Sequence, residues 1–446
     1  MILNMRWPKI CRRRPVLTNI AILTGSAFLE RLLGGFYRVA LARASGPEAL
    51  GLLQYCLPFL RLGGILGTLG IPQALTREVA EALARGRRDE AEAMTAWALR
   101  AVGLAGAGLA LALSLLPPVF RSLFPDPRVL PLFRWLGPVV VFSSLGMVLQ
   151  GGLQGQNRMW PLALAGFVAQ LGKLGLGLFL IGRVAPRGPS PIASAALAAM
   201  AASEFVSCGL LFALAGRPRG RNGGGGGLLR SSLPLMGDGL LFALANAADM
   251  VIIPARLLRA GYAPEAITPL LGRAWGMALP TIFFPMVLVW PIAAATMPVV
   301  SAAAARGDRA ALGRRICRGY LAVSGIASLS AAAFHLLAGP IVAVLYAAPA
   351  AAPFLADFAW AAPPIYLASF GADLLVALGR SQALFWQSAL SVAARTGLVY
   401  LLTGRPRLGP AGAVLGIGFG NALLAATCAW TVRKTLIGLG NDRGRP

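Results

Sequence analysis

The sequence predicts an all-α membrane protein of about twelve transmembrane helices arranged as two six-helix lobes, and three observations predict it. The first is composition: 57% of the 446 residues are hydrophobic and only 13% charged, with a mean hydropathy of +0.70. A soluble chain has about 45–50% apolar and about 25% charged residues. The second is length: apolar runs of the roughly 20 residues needed to cross about 30 Å of hydrocarbon recur twelve times. The third is repetition, because short motifs return in the same order at a spacing near 222 residues.

Taken in order between charged, Pro-rich and Gly-rich breaks, the spans are 16–42, 49–74, 94–116, 131–153, 160–182, 192–215, 231–257, 272–299, 315–338, 354–378, 383–403 and 410–432. The first follows Arg12, Arg13 and Arg14 and ends at Ala42-Arg43-Ala44, which imitates a secretion signal. The run is 27 residues long and carries Glu30 and Arg31, against the about 7–15 of a signal core, so it is a membrane helix. The eighth holds Pro280, Pro285, Pro291 and Pro298 and is expected to bend, because each proline removes a helical hydrogen bond.

The repeat pairs Pro58 with Pro280, Ala84-Arg85-Gly86 with Ala305-Arg306-Gly307, Pro138 and Gly146 with Pro363 and Gly371, Gly155 with Gly379, Lys173 with Arg395, and Gly182-Arg183 with Gly404-Arg405. Six spans fall in each copy, so the copies share one orientation. The expected organisation is a basic cytoplasmic N-terminus (1–15), an N-lobe (16–215), a Gly/Arg linker (216–230), a C-lobe (231–435) and a cytoplasmic tail (436–446). Transporters built from parallel repeats keep their substrate near the midplane between the repeats and alternate its exposure.

Net charge is +25, from 41 Lys+Arg against 16 Asp+Glu. Such basicity suits nucleic acid, an anionic membrane or an anionic substrate. With the N-terminus inside, 24 basic residues fall on the inner side and 10 on the outer, the bias expected beside an anionic leaflet. Both termini are therefore expected in the cytoplasm of a cell-membrane protein, and no nucleic-acid partner is needed. The five cysteines show no CxxC spacing, His335 is the single histidine, and neither a metal site, a cofactor motif nor a catalytic triad is readable.

Seven basic residues remain inside the spans: Arg31, Arg38, Arg61, Arg100, Arg134, Lys173 and Arg395. A charge at the bilayer centre costs about 2.5–3.5 kcal/mol on insertion scales and faces a cavity or a partner. Arg100 and Arg134 lie near span ends and can snorkel, while Lys173 and Arg395 are related by the repeat. Arg31 and Arg38, seven residues apart, share a helix face within about 20°, and Gly34 and Gly35 between them are expected to bend the helix or admit a close neighbour. Arg61 falls near the middle of the second span, and Arg273 lies at the outer mouth of the eighth. Glu30 and Asp249 are read either as charge partners of inward arginines or as proton- or sodium-coupling carboxylates. A cavity richer in guanidinium than in carboxylate suits a phosphorylated anion, which guanidinium holds bidentately.

The motifs Arg31-Leu-Leu-Gly34-Gly-Phe-Tyr37-Arg38, Gly51-Leu-Leu-Gln54 through Pro58, Leu69-Gly70-Ile71-Pro72-Gln-Ala74, Gly151-Gly-Leu-Gln154-Gly155-Gln-Asn-Arg158, Asp249-Met-Val-Ile-Ile-Pro254 and Leu271-Gly272 through Pro280 resemble the stage V sporulation protein B group of polysaccharide transporters. That group sits in the multidrug/oligosaccharidyl-lipid/polysaccharide exporter superfamily with the lipid II flippases, and the resemblance spans roughly residues 16–435. It implies a MATE-like V of two six-helix bundles and movement of an undecaprenyl-pyrophosphate-linked saccharide or peptidoglycan precursor to the outer leaflet, for cell-wall, spore-cortex or polysaccharide synthesis. By position it implies that Arg31, Arg38, Arg61 and Arg273 bind the pyrophosphate, with H+ or Na+ as a coupling ion. Lipid II flippases often carry two further C-terminal helices for which this chain has no room, which favours the sporulation or polysaccharide subgroup. On this expectation the protein is not an enzyme. Pro280 and Pro285 would let the eighth helix flex, and membrane lipids would receive the tail. Two rival expectations are a cation-coupled multidrug antiporter, which needs Asp249 and Glu204 in the cavity, and a membrane scaffold for cell-wall enzymes.

Overall fold

The computed structural model describes residues 15–115, 119–216, 225–306 and 308–441. The described residues are helical almost throughout: α1 (Pro15–Thr68), α2 (Ile71–Ala84), α3 (Arg88–Leu115), α4 (Leu136–Gly155), α5 (Trp160–Val184), α6 (Pro189–Ala215), α7 (Gly225–Arg259), α8 (Pro264–Leu271), α9 (Leu279–Ile282), α10 (Met286–Ala305), α11 (Arg309–Leu336), α12 (Ala338–Tyr346), α13 (Ala352–Ala359), α14 (Ala362–Ala377), α15 (Ser381–Thr403) and α16 (Pro410–Asn441). A π-helical stretch, Gly272–Ala278, joins α8 to α9. Of the expected linker 216–230, residues 217–224 lie outside the described residues, and 225–230 begin α7. The expected basic N-terminus likewise falls outside them up to residue 14, as do tail residues 442–446.

Nine helices among the described residues are long and apolar enough to cross a membrane, or ten with the pair Pro349–Ala359 and Ala362–Ala377, bent by 52°. The first of these, Gly25–Ala84, contains two expected spans separated by Gly46, whose φ of 69° and ψ of 177° interrupt the helix. The expected eleventh span is α15, diluted by Gln382, Gln387 and Arg395. The helices are thus consistent with the twelve spans, and the molecule is a multi-pass all-α membrane protein. The eighth span departs from its expected 272–299: helical chain runs from Pro264 to Ile282 and again from Met286 to Ala305.

By contacts the chain divides into two compact units, the first within Met1–Ala44, Phe59–Val119 and Leu130–Met236, the second within Ser45–Pro58, Phe120–Val129 and Gly237–Pro446. In the first unit α2, α3 and α4 pack on one another, α4 packs on α6, and α6 on α5; in the second, α10, α11 and α14 do the same, α14 packs on α16, and α16 on α15. The two copies therefore share their helix pairings as well as their sequence motifs. Small residues set these distances, as is usual where lipid removes the hydrophobic drive for helix association. In the first unit Gly151 and Gly155 of α4 lie against the carbonyls of Pro72 and Thr76 on α2. In the second, Gly412, Gly416 and Gly420, one turn apart on α16, lie against Leu402, Val399 and Arg395 of α15.

Candidate functional site

Each unit holds an ion pair within its membrane helices. In the first, Lys173 of α5 reaches Glu204 of α6 at 2.8 Å, with side chains 16% and 21% exposed. Glu30 of α1 fills the space that Gly166 of α5 leaves open, and the cations acting on it are Lys173 and Arg31. Two further contacts carry α1 along α5: Gly34 beside the Gln170 amide, and the Tyr37 ring over Gly177.

The second unit also pairs its repeat-related cation with an acid, but the acid comes from α7, which opens its copy, rather than from the helix that follows. Arg395 of α15 bonds Asp249 of α7 and donates to Oδ1 of Asn246 at 3.0 Å. The pair is buried, with side chains 11% and 2% exposed, yet Oδ1 of Asp249 and Nε of Arg395 have no hydrogen-bond partner among the described residues. Arg256, seven residues beyond Asp249, meets the same helix, α15, and stacks 4.3 Å over the Tyr400 ring. The repeat-related residues Lys173 and Arg395 thus each neutralise an acid within their own unit.

Arg31, Arg38 and Arg61 all belong to the first unit, and all three are exposed. Gly34 and Gly35 lie within continuous helix, and the interruption of α1 occurs at Gly46. Arg273 belongs to the second unit, where it is half-buried in the π-helical stretch. Such stretches are rare and occur disproportionately at functional sites. Pro280 lies in α9, and Pro285 ends the turn before α10.

One cluster in the second unit escaped the reading of the sequence. Asp126 accepts hydrogen bonds from the backbone N–H and Nε of Arg128 at 3.0 Å, from Nη2 of Arg128 at 2.9 Å and from the Thr268 hydroxyl at 2.8 Å. Arg128 in turn meets Glu48 at 2.7 Å. Burial alone would raise the Asp126 carboxyl, but the hydrogen bonds from Arg128 and Thr268 outweigh it and hold the group below its ordinary value. Close backbone approaches accompany these bonds: Gly51 lies against the carbonyl of Thr268, and Gly272 against that of Pro47. The sequence signal was present in Gly51 and Gly272, but nothing in it joined either residue to Asp126.

The family model for polysaccharide biosynthesis proteins matches residues 16–304. The chain belongs to this family. Stage V sporulation protein B of Bacillus subtilis (strain 168) is 26% identical over 441 residues, covering 95% of this chain and 85% of the relative, which bears out the resemblance carried by the motifs. Among solved structures, a multidrug resistance MATE family transporter of the MOP superfamily, in its inward-facing conformation, superposes with a TM-score of 0.75 at 16% identity, covering 95% of this chain and 99% of that one. Lipid II flippase MurJ, in its inward closed conformation, gives 0.70 at 14% identity over 94% and 90%. At those identities the likeness is one of fold. The chain is thus a polysaccharide biosynthesis family protein whose fold is shared with these membrane proteins.

Proposed function

We propose that this protein carries an undecaprenyl-pyrophosphate-linked saccharide or peptidoglycan precursor from the inner to the outer leaflet of the cell membrane by alternating access, with both termini in the cytoplasm. The observation that carries the reading is the exposure of Arg31, Arg38 and Arg61 inside membrane helices of one unit, while Glu204 of that unit is already engaged by Lys173. Guanidinium groups within membrane helices suit a diphosphate, whose oxygens accept their paired N–H bonds. Family membership and the 26% identity to stage V sporulation protein B support the same reading. The multidrug alternative needs available acid for a cationic drug, and Asp249 and Glu204 are both bound to basic side chains. Glu30 and Asp249 act in this reading as charge partners, and proton or sodium coupling through them is the finer alternative.

Transport of this kind needs no covalent step. The arginines bind the diphosphate, the tail stays in lipid, and the energy comes from an ion gradient or from consumption of the product outside. A charge-assisted hydrogen bond is worth about 1.5–3 kcal/mol, so Arg31→Ala and Arg38→Ala should each weaken binding of undecaprenyl pyrophosphate by about ten- to a hundredfold. The purified protein titrated with that lipid, and with undecaprenol as the uncharged control, reads this out. Equal affinities for wild type and both variants would remove the arginines from the site.

A further inference from the structure

The second unit contains a groove of about 910 Å³, open on one side, that neither the arginines nor the ion pairs of the preceding sections line. Its walls are α13, α14, α15 and α16, with Leu401, Phe419, Gly397 and Gly418 among the lining residues and Asp357 the one ionisable group. Asp357 has His335 as its electrostatic neighbour, and the His335 ring lies 5.3 Å from that of Trp360 at the same edge. Leu402 and Ala411 both line the groove, so the connection between α15 and α16 leaves and re-enters its wall; that connection carries exposed Arg405 and Arg407.

We infer that the groove is a binding site for one anionic phospholipid of the surrounding bilayer, its acyl chains along the α15–α16 wall and its phosphate at Arg405 and Arg407. Four features on the protein's surface argue for that occupant. The walls belong to membrane-spanning helices, where the medium is hydrocarbon, and an apolar recess there fills with lipid chain rather than water. The volume is within the about 300–1,000 Å³ of small-molecule pockets. The cationic connection supplies charge where the chains would end, and guanidinium holds a phosphate through charge-assisted hydrogen bonds. Trp360, 71% exposed, has the amphipathic ring that anchors at headgroup level. No candidate substrate-binding arginine lines the groove, so its lipid is assigned separately from the headgroup site of the transported one.

The glycines provide the test, since a side chain at Gly397 meets nothing within 4 Å and one at Gly418 only Ala361 at 3.6 Å. Gly397→Leu and Gly418→Leu together should fill the groove without disturbing the fold. The protein is reconstituted in phosphatidylethanolamine–phosphatidylglycerol vesicles containing phosphatidylglycerol with a photoreactive chain end. Label should concentrate on peptides holding Leu401 and Phe419 and fall about tenfold in the filled variant, and Arg405→Gln with Arg407→Gln should lower it for phosphatidylglycerol more than for an uncharged diacylglycerol probe. Gly397→Leu alone serves if the double variant does not fold. Label spread evenly over the lipid-facing helices, or unchanged by filling, would overturn the site. Loss of label on adding undecaprenyl pyrophosphate would assign the groove to the cargo's tail and overturn the separate-lipid reading.

Discussion

Arg395 and Asp249 lie side by side in the second unit, the carboxylate 2% exposed, and their energetics follow from that burial. Removing one partner of a buried pair leaves an uncompensated charge and costs about 3–5 kcal/mol, whereas replacing both with neutral groups is often close to neutral. Arg395→Ala should therefore lower the thermal midpoint of the detergent-purified protein sharply, and the double variant Asp249→Asn/Arg395→Gln should recover most of the loss. A double variant as unstable as the single one would show that the pair's worth lies elsewhere. The sequence identified Lys173 and Arg395 as equivalent, because each interrupts an apolar run at the same place in its copy. It did not identify their partners. Asp249 and Arg256 share a helix face by spacing, and that face meets α15, where Asp249 takes Arg395 and Arg256 stacks on Tyr400. Spacing reports what shares a face, and tertiary packing decides which face meets which.

Among the elements, the spans were legible because hydrocarbon demands long apolar helices, while the places where they break were not. Gly34 and Gly35 pass as ordinary helix. Gly46 interrupts it because its φ of 69° lies in the left-handed region where glycine carries no Cβ penalty. Pro280 and Pro285 advertised the interruption of the eighth span, whereas the π-helical stretch that holds Arg273 has no sequence mark. Gly412, Gly416 and Gly420 on α16 form a small-xxx-small pattern that the reading of the sequence passed over, and the fold shows its partner helix to be α15. Asp126 belongs to this scale because it ties the 120–129 segment to α8. A carboxylate held below its ordinary value, near 3.8, contributes stability that is present above that value and is lost as pH falls through the lowered one. The difference in thermal midpoint between wild type and Asp126→Asn should thus stay constant from neutral pH down to about 4 and close only below it. A difference that has already closed at pH 6 would contradict the hydrogen bonding described for Asp126.

At the scale of the molecule, helix pairings recur between the two units as motifs about 222 residues apart recur in the sequence, although residues 45–58 and 120–129, from the first copy, belong by contacts to the second unit. Composition and apolar periodicity carried the fold class, and ordered motifs carried the family. The cargo is a further step, resting on exposed arginines in membrane helices and on acids already paired with Lys173 and Arg395. The measurement that tests it most directly is translocation in proteoliposomes of a fluorescent undecaprenyl-pyrophosphate disaccharide, followed by quenching from one side. Wild type should move the lipid, an Arg31→Ala/Arg38→Ala variant should retain its fold and move little or none, and a monophosphate analogue should move more slowly. Translocation by the double variant at the wild-type rate, or a wild type that moves cationic drugs and leaves the pyrophosphate lipid in place, would contradict the account.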